Sequence, residues 1–397
     1  MMKIGRNLPP ASVSCSWQDL WHGMAGAYAP DRALRSRIDE IRLEFDVRHV
    51  FPVSSGTAAL TLTLTALASL SDRTEVVMPA YTCFSVPAAV VHAGLRPVLC
   101  DIVDSTFDFD PTQLPRVLTS RTLCVIAHHL FGIPSNIERT RAVCRDRGVF
   151  LVEDAAQAMG VCYRGHALGT QGDVGIFSFG RGKNITCGSG GVILTSCDRI
   201  ARAIDARYDR VPSPRCWELL EEFVSIALMM VFVRPWLYWI PAALPFLQLG
   251  ATVFPREVRV RRLSGFKAGM LKNWRSRLVA SNEARSRTAD DLRRRVPARW
   301  DAPAAHPLLR LPLLTTSATE KERLCSVANR RGLGVSPAYP TALDQIPALR
   351  AALDKRQYPA ATRVASQLLT LPTHQWLRDK DKRAIEELCR KPDSVSP

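Results

Sequence analysis

Lys183 and the acidic pair Glu153-Asp154 are the residues of this chain most able to do covalent chemistry together. The run Phe150-Leu151-Val152 reads as a buried strand that ends in the two carboxylates. A second run, Val174 to Phe179, carries the hydroxyl of Ser178 and leads into Lys183, and Gly188-Ser189-Gly190-Gly191 turns the chain into a third strand, Val192 to Thr195. A primary amine can condense with an aldehyde, an aspartate can hold a pyridine nitrogen protonated, and a hydroxyl can face a phosphate. These three groups in one strand-loop frame suit a pyridoxal phosphate (PLP) site.

A fourth piece lies upstream. Ser54-Ser55-Gly56-Thr57 opens a helix reaching about Ser69. The amides of a first helical turn bind phosphate, and Gly56 lets a ligand approach the backbone. Alone, the segment would be only an N-cap. Beside Ser178 and Lys183 it reads as a phosphate loop.

From Ser54 to Ser196, and more weakly in the last third, the sequence resembles the DegT/DnrJ/StrS family of PLP-dependent sugar aminotransferases. The resemblance rests on Ser55-Gly56-Thr57, on Glu153-Asp154-Ala155-Ala156-Gln157, and on Ser178-Phe179 with Lys183. It implies fold type I, a homodimer, and PLP carried by Lys183 as a Schiff base. Asp154 would pair with the ring nitrogen, Gln157 would contact the ring, and Ser55, Gly56, Thr57 and Ser178 would bind the phosphate. The ring-stacking aromatic falls in direct register on Cys83, with Phe84 beside it as the other candidate, and the glutamate of the Gly-rich turn is replaced by Ser189. The cross-subunit Asn-x-Arg pattern is absent, Arg261 to Phe266 standing in its place.

The 397 residues are enough for two cores. Strands alternating with helices through residues 49–195 argue for an α/β fold: a large domain whose mostly parallel, seven-stranded sheet lies between helices, then a smaller C-terminal α/β domain. The expected divisions are an irregular arm at 1–30 of the kind that lies on a partner subunit, the PLP-binding domain at 31–215, an apolar insertion at 216–254, and a long basic helix with the small domain at 255–397. That helix is expected to run from Leu263 to Val296, with Ala268, Leu271, Trp274, Leu278 and Ala280 on or near one face. His128 and His129 follow a strand end and read more readily as packed loop residues than as substrate groups.

Eleven scattered cysteines without a C-x-x-C pair offer no metal site and no disulfide framework. With no signal-peptide core at the N-terminus, the cytoplasm is the expected compartment. The net charge of +16 concentrates between Pro255 and Arg299, where fourteen Lys and Arg face four Asp and Glu. No nucleic-acid-reading motif accompanies it, so nucleic acid is not an expected partner. Phe223 to Leu249 is apolar but interrupted by Pro235, Pro241 and Pro245, which argues against a simple transmembrane helix. It reads either as an insertion packed on the domain or as an element docking at the inner membrane face, with Trp236, Tyr238 and Trp239 at headgroup level.

The resemblance implies transfer of an amino group, from glutamate as donor, to a nucleotide-linked keto-sugar. Two alternatives stay open: the same chemistry on a lipid-linked substrate, and a non-catalytic regulator or scaffold that keeps the fold. Lys183 argues against the family's dehydratases, which carry histidine there.

Overall fold

The computed structural model describes residues 4–12, 15–244, 252–296, 306–354 and 356–390. Two helices lead the chain, α1 (Trp17–Tyr28) and α2 (Pro30–Glu44). Then follow β1 (His49–Val53), α3 (Gly56–Ala68), β2 (Glu75–Pro79), α4 (Ser85–His92), β3 (Arg96–Cys100), the single turn α5 (Leu114–Val117), β4 (Thr122–His128), α6 (Ile137–Arg147) and β5 (Phe150–Asp154). A hairpin, β6 (Cys162–Tyr163) and β7 (His166–Ala167), precedes β8 (Val174–Ser178), β9 (Gly191–Thr195) and α7 (Asp198–Tyr208). The chain continues through α8 (Cys216–Phe232), α9 (Trp239–Ala242), α10 (Gly265–Met270) and α11 (Trp274–Arg295). It closes with β10 (Arg310–Leu314), α12 (Ala318–Arg331), α13 (Pro359–Gln367), β11 (Leu368–Pro372) and α14 (Asp379–Cys389).

Seven strands form one sheet in the order β1-β9-β8-β5-β4-β2-β3. The pairings β3/β2, β2/β4, β4/β5 and β5/β8 are parallel, and β9 runs antiparallel to both of its neighbours. Alternate residues enter different cores: Val152 and Ile126 pack on one side, Leu151 and Val125 on the other. Both faces are therefore buried, which is why these strands are continuous apolar runs rather than alternating ones. The expected sheet is present. In the smaller domain β10 and β11 pair antiparallel, with α12, α13 and α14 alongside.

The N-terminal segment differs from expectation. Residues 17–28 are helical, with Ser16 and Asp19 forming a reciprocal capping box. Trp and Gly disguised the helix in the sequence, but the glycines are what its packing requires. A Cβ on Gly26 would lie 2.3 Å from the carbonyl oxygen of Gly265, and one on Gly269 would lie 2.1 Å from that of His22. Only bare backbones can cross this closely. The residues before α1 lie on the chain's own small domain: Leu8 N donates to Gly332 O at 2.9 Å, His374 Nε2 donates to Pro9 O at 2.9 Å, and Arg6 pairs with Asp381 at 2.6 Å.

The long basic helix is also divided. The chain turns at Leu271–Asn273, because α10 is held backbone to backbone on α1 while α11 runs on toward the site. Leu271, Trp274 and Leu278 are buried as expected, whereas Ala280 faces solvent.

Candidate functional site

Strand β5 ends by sending its two carboxylates to opposite sides, as adjacent strand residues must. Glu153 is fully buried. Its Oε1 accepts from His129 Nε2 at 2.8 Å and from the Gly169 amide at 2.6 Å, and its Oε2 accepts from the amides of Gln171 and Gly172 at 2.8 and 2.9 Å. Burial pushes this carboxyl up, but the bonds from His129 and the glycine amides outweigh it and hold the group below its ordinary value. Asp154 is half-buried on the other side, where Oδ1 accepts from the Ala156 amide at 3.1 Å.

The two histidines are structural. His129 Nδ1 accepts from the Ser135 amide at 3.1 Å, which leaves Nε2 to donate to Glu153. His128 lies between Thr82 Oγ1 and the Phe107 carbonyl, both at 2.9 Å, and burial lowers its pKa.

Ser55 caps α3 by accepting from the Ala58 amide at 3.0 Å. The amides of Gly56 and Thr57 have no acceptor among the described residues. A Cβ on Gly56 would lie 3.0 Å from the Cβ of Ser178 and 3.1 Å from its Oγ, so the missing side chain brings the Ser178 hydroxyl against the helix N-terminus. One on Gly191 would lie 2.4 Å from the Ser55 carbonyl oxygen, and this contact presses the loop onto the sheet. Free amides, a glycine gap and a buried hydroxyl make an anion cradle.

Lys183 follows directly. A Cβ on Gly180 would sit 3.4 Å from Ser178 Oγ and 3.8 Å from Lys183 Cγ, so the lysine stem passes the cradle. Lys183 is half-buried, and its side-chain nitrogen has no hydrogen-bond or ion-pair partner among the described residues. Its loop is clamped from α11, on residues the sequence did not single out. Arg277 donates to Thr186 O at 2.9 Å, Asn282 accepts from Asn184 at 2.9 Å, and Arg285 donates to Lys183 O at 3.2 Å. Their signal was faint, since polar residues on the apolar side of a helix become visible only once the helix is oriented.

Gln157 spans to the small domain, with Oε1 accepting from Phe131 N at 3.1 Å and Nε2 donating to the Tyr339 hydroxyl at 3.0 Å. Tyr339 stacks on both Phe84 and Phe131, with ring centroids 6.3 and 6.5 Å apart, and Tyr81 Oη donates to its carbonyl at 3.3 Å. Phe84 is thus buried and committed to Tyr339, while Cys83 is half-exposed beside it. Ser189 accepts from Lys267 Nζ at 2.9 Å, so α10 braces the Gly-rich turn.

A mostly parallel sheet with a phosphate cradle, an acid and a lysine at its strand ends defines the fold type I architecture of PLP-dependent enzymes. The PseC aminotransferase of Helicobacter pylori superposes with a TM-score of 0.78 at 14% identity, covering 97% of this chain and 98% of that one. The sugar aminotransferase CalS13 of Micromonospora echinospora gives 0.76 at 21%, covering 96% and 98%. Residues 40–208, which include Ser55, Gly56, Thr57, Asp154, Gln157, Ser178 and Lys183, match the model of the DegT/DnrJ/EryC1/StrS aminotransferase family. GDP-perosamine synthase of Vibrio cholerae is 34% identical over 167 residues, or 41% of this chain. The matches span less than half the length of the curated relatives, 45% in that case.

Glu153 supplies a test of the frame. Because its folded pKa is depressed, its stabilisation is present above the usual carboxylate value of about 4.3 and is lost as pH falls through the folded pKa. Glu153→Gln should cost about 3 kcal/mol at pH 7, the range for breaking a buried pair, and should flatten the acid limb of a stability-against-pH curve from urea melts.

Proposed function

We propose that this chain is a PLP-dependent aminotransferase acting on a nucleotide-linked keto-sugar, with glutamate as donor and a second copy of the chain as partner. The observation that carries the reading is the Lys183 amine, unpartnered among the described residues, beside the anion cradle of α3 and Ser178. The donor set fits PLP. The α3 amides and Ser178 would hold the phosphate, Asp154 would keep a proton on the ring nitrogen, and Gln157 and Cys83 would border the ring, Phe84 being taken up by Tyr339.

Bound there, PLP supplies an electron-withdrawing ring that acidifies the C–H bond next to an amine. Lys183 then moves a proton at that carbon as general base and acid. Its loop cannot drift, because Arg277, Asn282 and Arg285 hold the backbone. Similarity to GDP-perosamine synthase supports the sugar nucleotide. In spectra of protein purified with PLP, the wild type should show the visible absorbance of PLP bound at Lys183, which glutamate bleaches. Lys183→Ala should lack it and lose about a thousandfold in turnover. A colourless wild type would refute the enzyme reading.

A second reading, that the substrate is presented at a membrane, draws on the surface of α1 and α8. Trp17, Trp21 and Met24 on α1, and Trp217, Leu220, Val224 and Leu228 on α8, are each exposed by roughly half or more. They repeat at helical spacing along the two helices, and Trp17, Trp21, Met24 and Leu220 line a groove of about 670 Å³. Within the apolar insertion some residues pack inward and others do not. Ile226 and Met230 are buried, whereas Trp236 is 56% exposed with the Arg378 guanidinium 5.9 Å from its ring centroid. Residues 245–249 of that stretch lie outside the described residues. Among the described residues no helix is long and apolar enough to cross a membrane. On this reading the protein floats with phosphatidylserine vesicles, and Leu220→Glu with Leu228→Glu leaves it at the bottom of the gradient. A wild type that stays down, with the same double variant breaking a dimer in sedimentation, assigns the face to a second copy instead.

A further inference from the structure

Among the described residues, several buried or partly buried guanidiniums have a carboxylate. Arg6 pairs with Asp381, Arg37 with Glu40, and Arg277 with Asp19. Arg310 on β10 does not. Its Nε and one terminal nitrogen are buried without a hydrogen-bond partner, and no ion pair reaches it among the described residues. The groups near it that could carry a negative charge, Tyr339, Tyr238, Tyr81 and Cys325, are neutral at pH 7. Burial pulls its pKa down to about 10.

Its other neighbours deepen the imbalance. Arg285 is 1% exposed and, among the described residues, gives its protons only to neutral acceptors: the carbonyls of Leu309, Ser12 and Lys183 and the hydroxyl of Thr373. Its Nε has no partner. Arg310, Arg285 and the buried His374 act on one another electrostatically, and each is pushed toward its neutral form by burial first. Two desolvated guanidiniums without a counter-charge among the described residues carry an uncompensated desolvation cost, which removing the charge relieves. They persist where a ligand supplies the missing charge.

The place is defined by its contacts. Arg285 bonds the backbone of Lys183, and Tyr339, beside Arg310, accepts from Gln157. We infer that Arg310 is the receptor for a substrate oxyanion, which enters between the two domains and supplies the charge that Arg310 and Arg285 lack. A guanidinium offers paired donors to carboxylate and phosphate alike, so the oxyanion belongs either to the amino donor's carboxylate or to the phosphates of the sugar nucleotide. The assignment rests on the aminotransferase reading for which substrate brings the anion. It does not rest on that reading for the anion itself.

The test needs no turnover. The full-length wild type and Arg310→Met, both with PLP added, are melted against glutarate, inorganic phosphate and GDP, with chloride as the ionic control. The wild type should be stabilised saturably by at least one oxyanion. Arg310→Met should start from an equal or higher Tm and bind that oxyanion about thirtyfold or more weakly, with Arg310→Lys intermediate. Stabilisation by glutarate alone identifies the donor carboxylate, and stabilisation by phosphate or GDP identifies the sugar nucleotide. Equal responses in wild type and Arg310→Met, no response in either, or a methionine variant melting several degrees lower each overturn the inference. A wild type that never binds PLP sinks the aminotransferase reading while leaving this titration readable.

Discussion

Glu153 keeps its charge in a place without water because three backbone amides and one imidazole converge on it. The amides of Gly169, Gln171 and Gly172 belong to the turn that feeds β8, and His129 belongs to the loop after β4. One carboxylate therefore joins the ends of β4 and β5 to the approach of β8, the three neighbouring strands around the site. Its neighbour Asp154 faces the opposite way as a consequence of strand geometry alone. With Glu153 unbonded, the fully buried carboxylate would have to take up a proton or draw in water, and the strand ends that aim Asp154 and Ser178 would lose their common anchor.

The lysine loop depends on a second set of constraints, imposed from far along the chain. Three side chains of α11 hold its carbonyls and Asn184, and α11 is itself anchored by Trp274, which stacks on Phe45 with centroids 6.1 Å apart and donates to Glu40 at 2.9 Å. The crossing of α10 on α1 through Gly26, Gly265 and Gly269 fixes where α11 begins. A bare amine placed this way keeps its freedom at the tip while its backbone has none, an arrangement suited to a nucleophile that must let go of one partner and take another.

Much of this was legible in the sequence. The sheet was readable because each strand is a short apolar run that both layers of helices cover, and the cradle, Asp154, Ser178 and Lys183 lie in local motifs whose chemistry shows in their spacing. The α1 helix was hidden because Gly23 and Gly26 are poor helix formers that serve a close crossing, and only the partner helix gives the reason. The break before Trp274 was hidden because an apolar face continues across it. Arg277, Asn282 and Arg285 escaped notice because they reach the lysine loop across 90 or more residues, and Arg310 because a buried arginine looks like a surface one until its neighbours are known. Cys83 in the stacking register was visible. That Phe84 would be occupied by Tyr339 was not.

The central claim is that Lys183 is the one amine presented to the cradle, and mass spectrometry addresses it most directly. Protein equilibrated with PLP is reduced with borohydride, digested and mapped. The account predicts a single PLP-sized mass addition on the peptide containing Lys183, blocked in Ser178→Asp, whose carboxylate would repel the phosphate. Addition spread over surface lysines such as Lys272 and Lys380, or none at all, would contradict it.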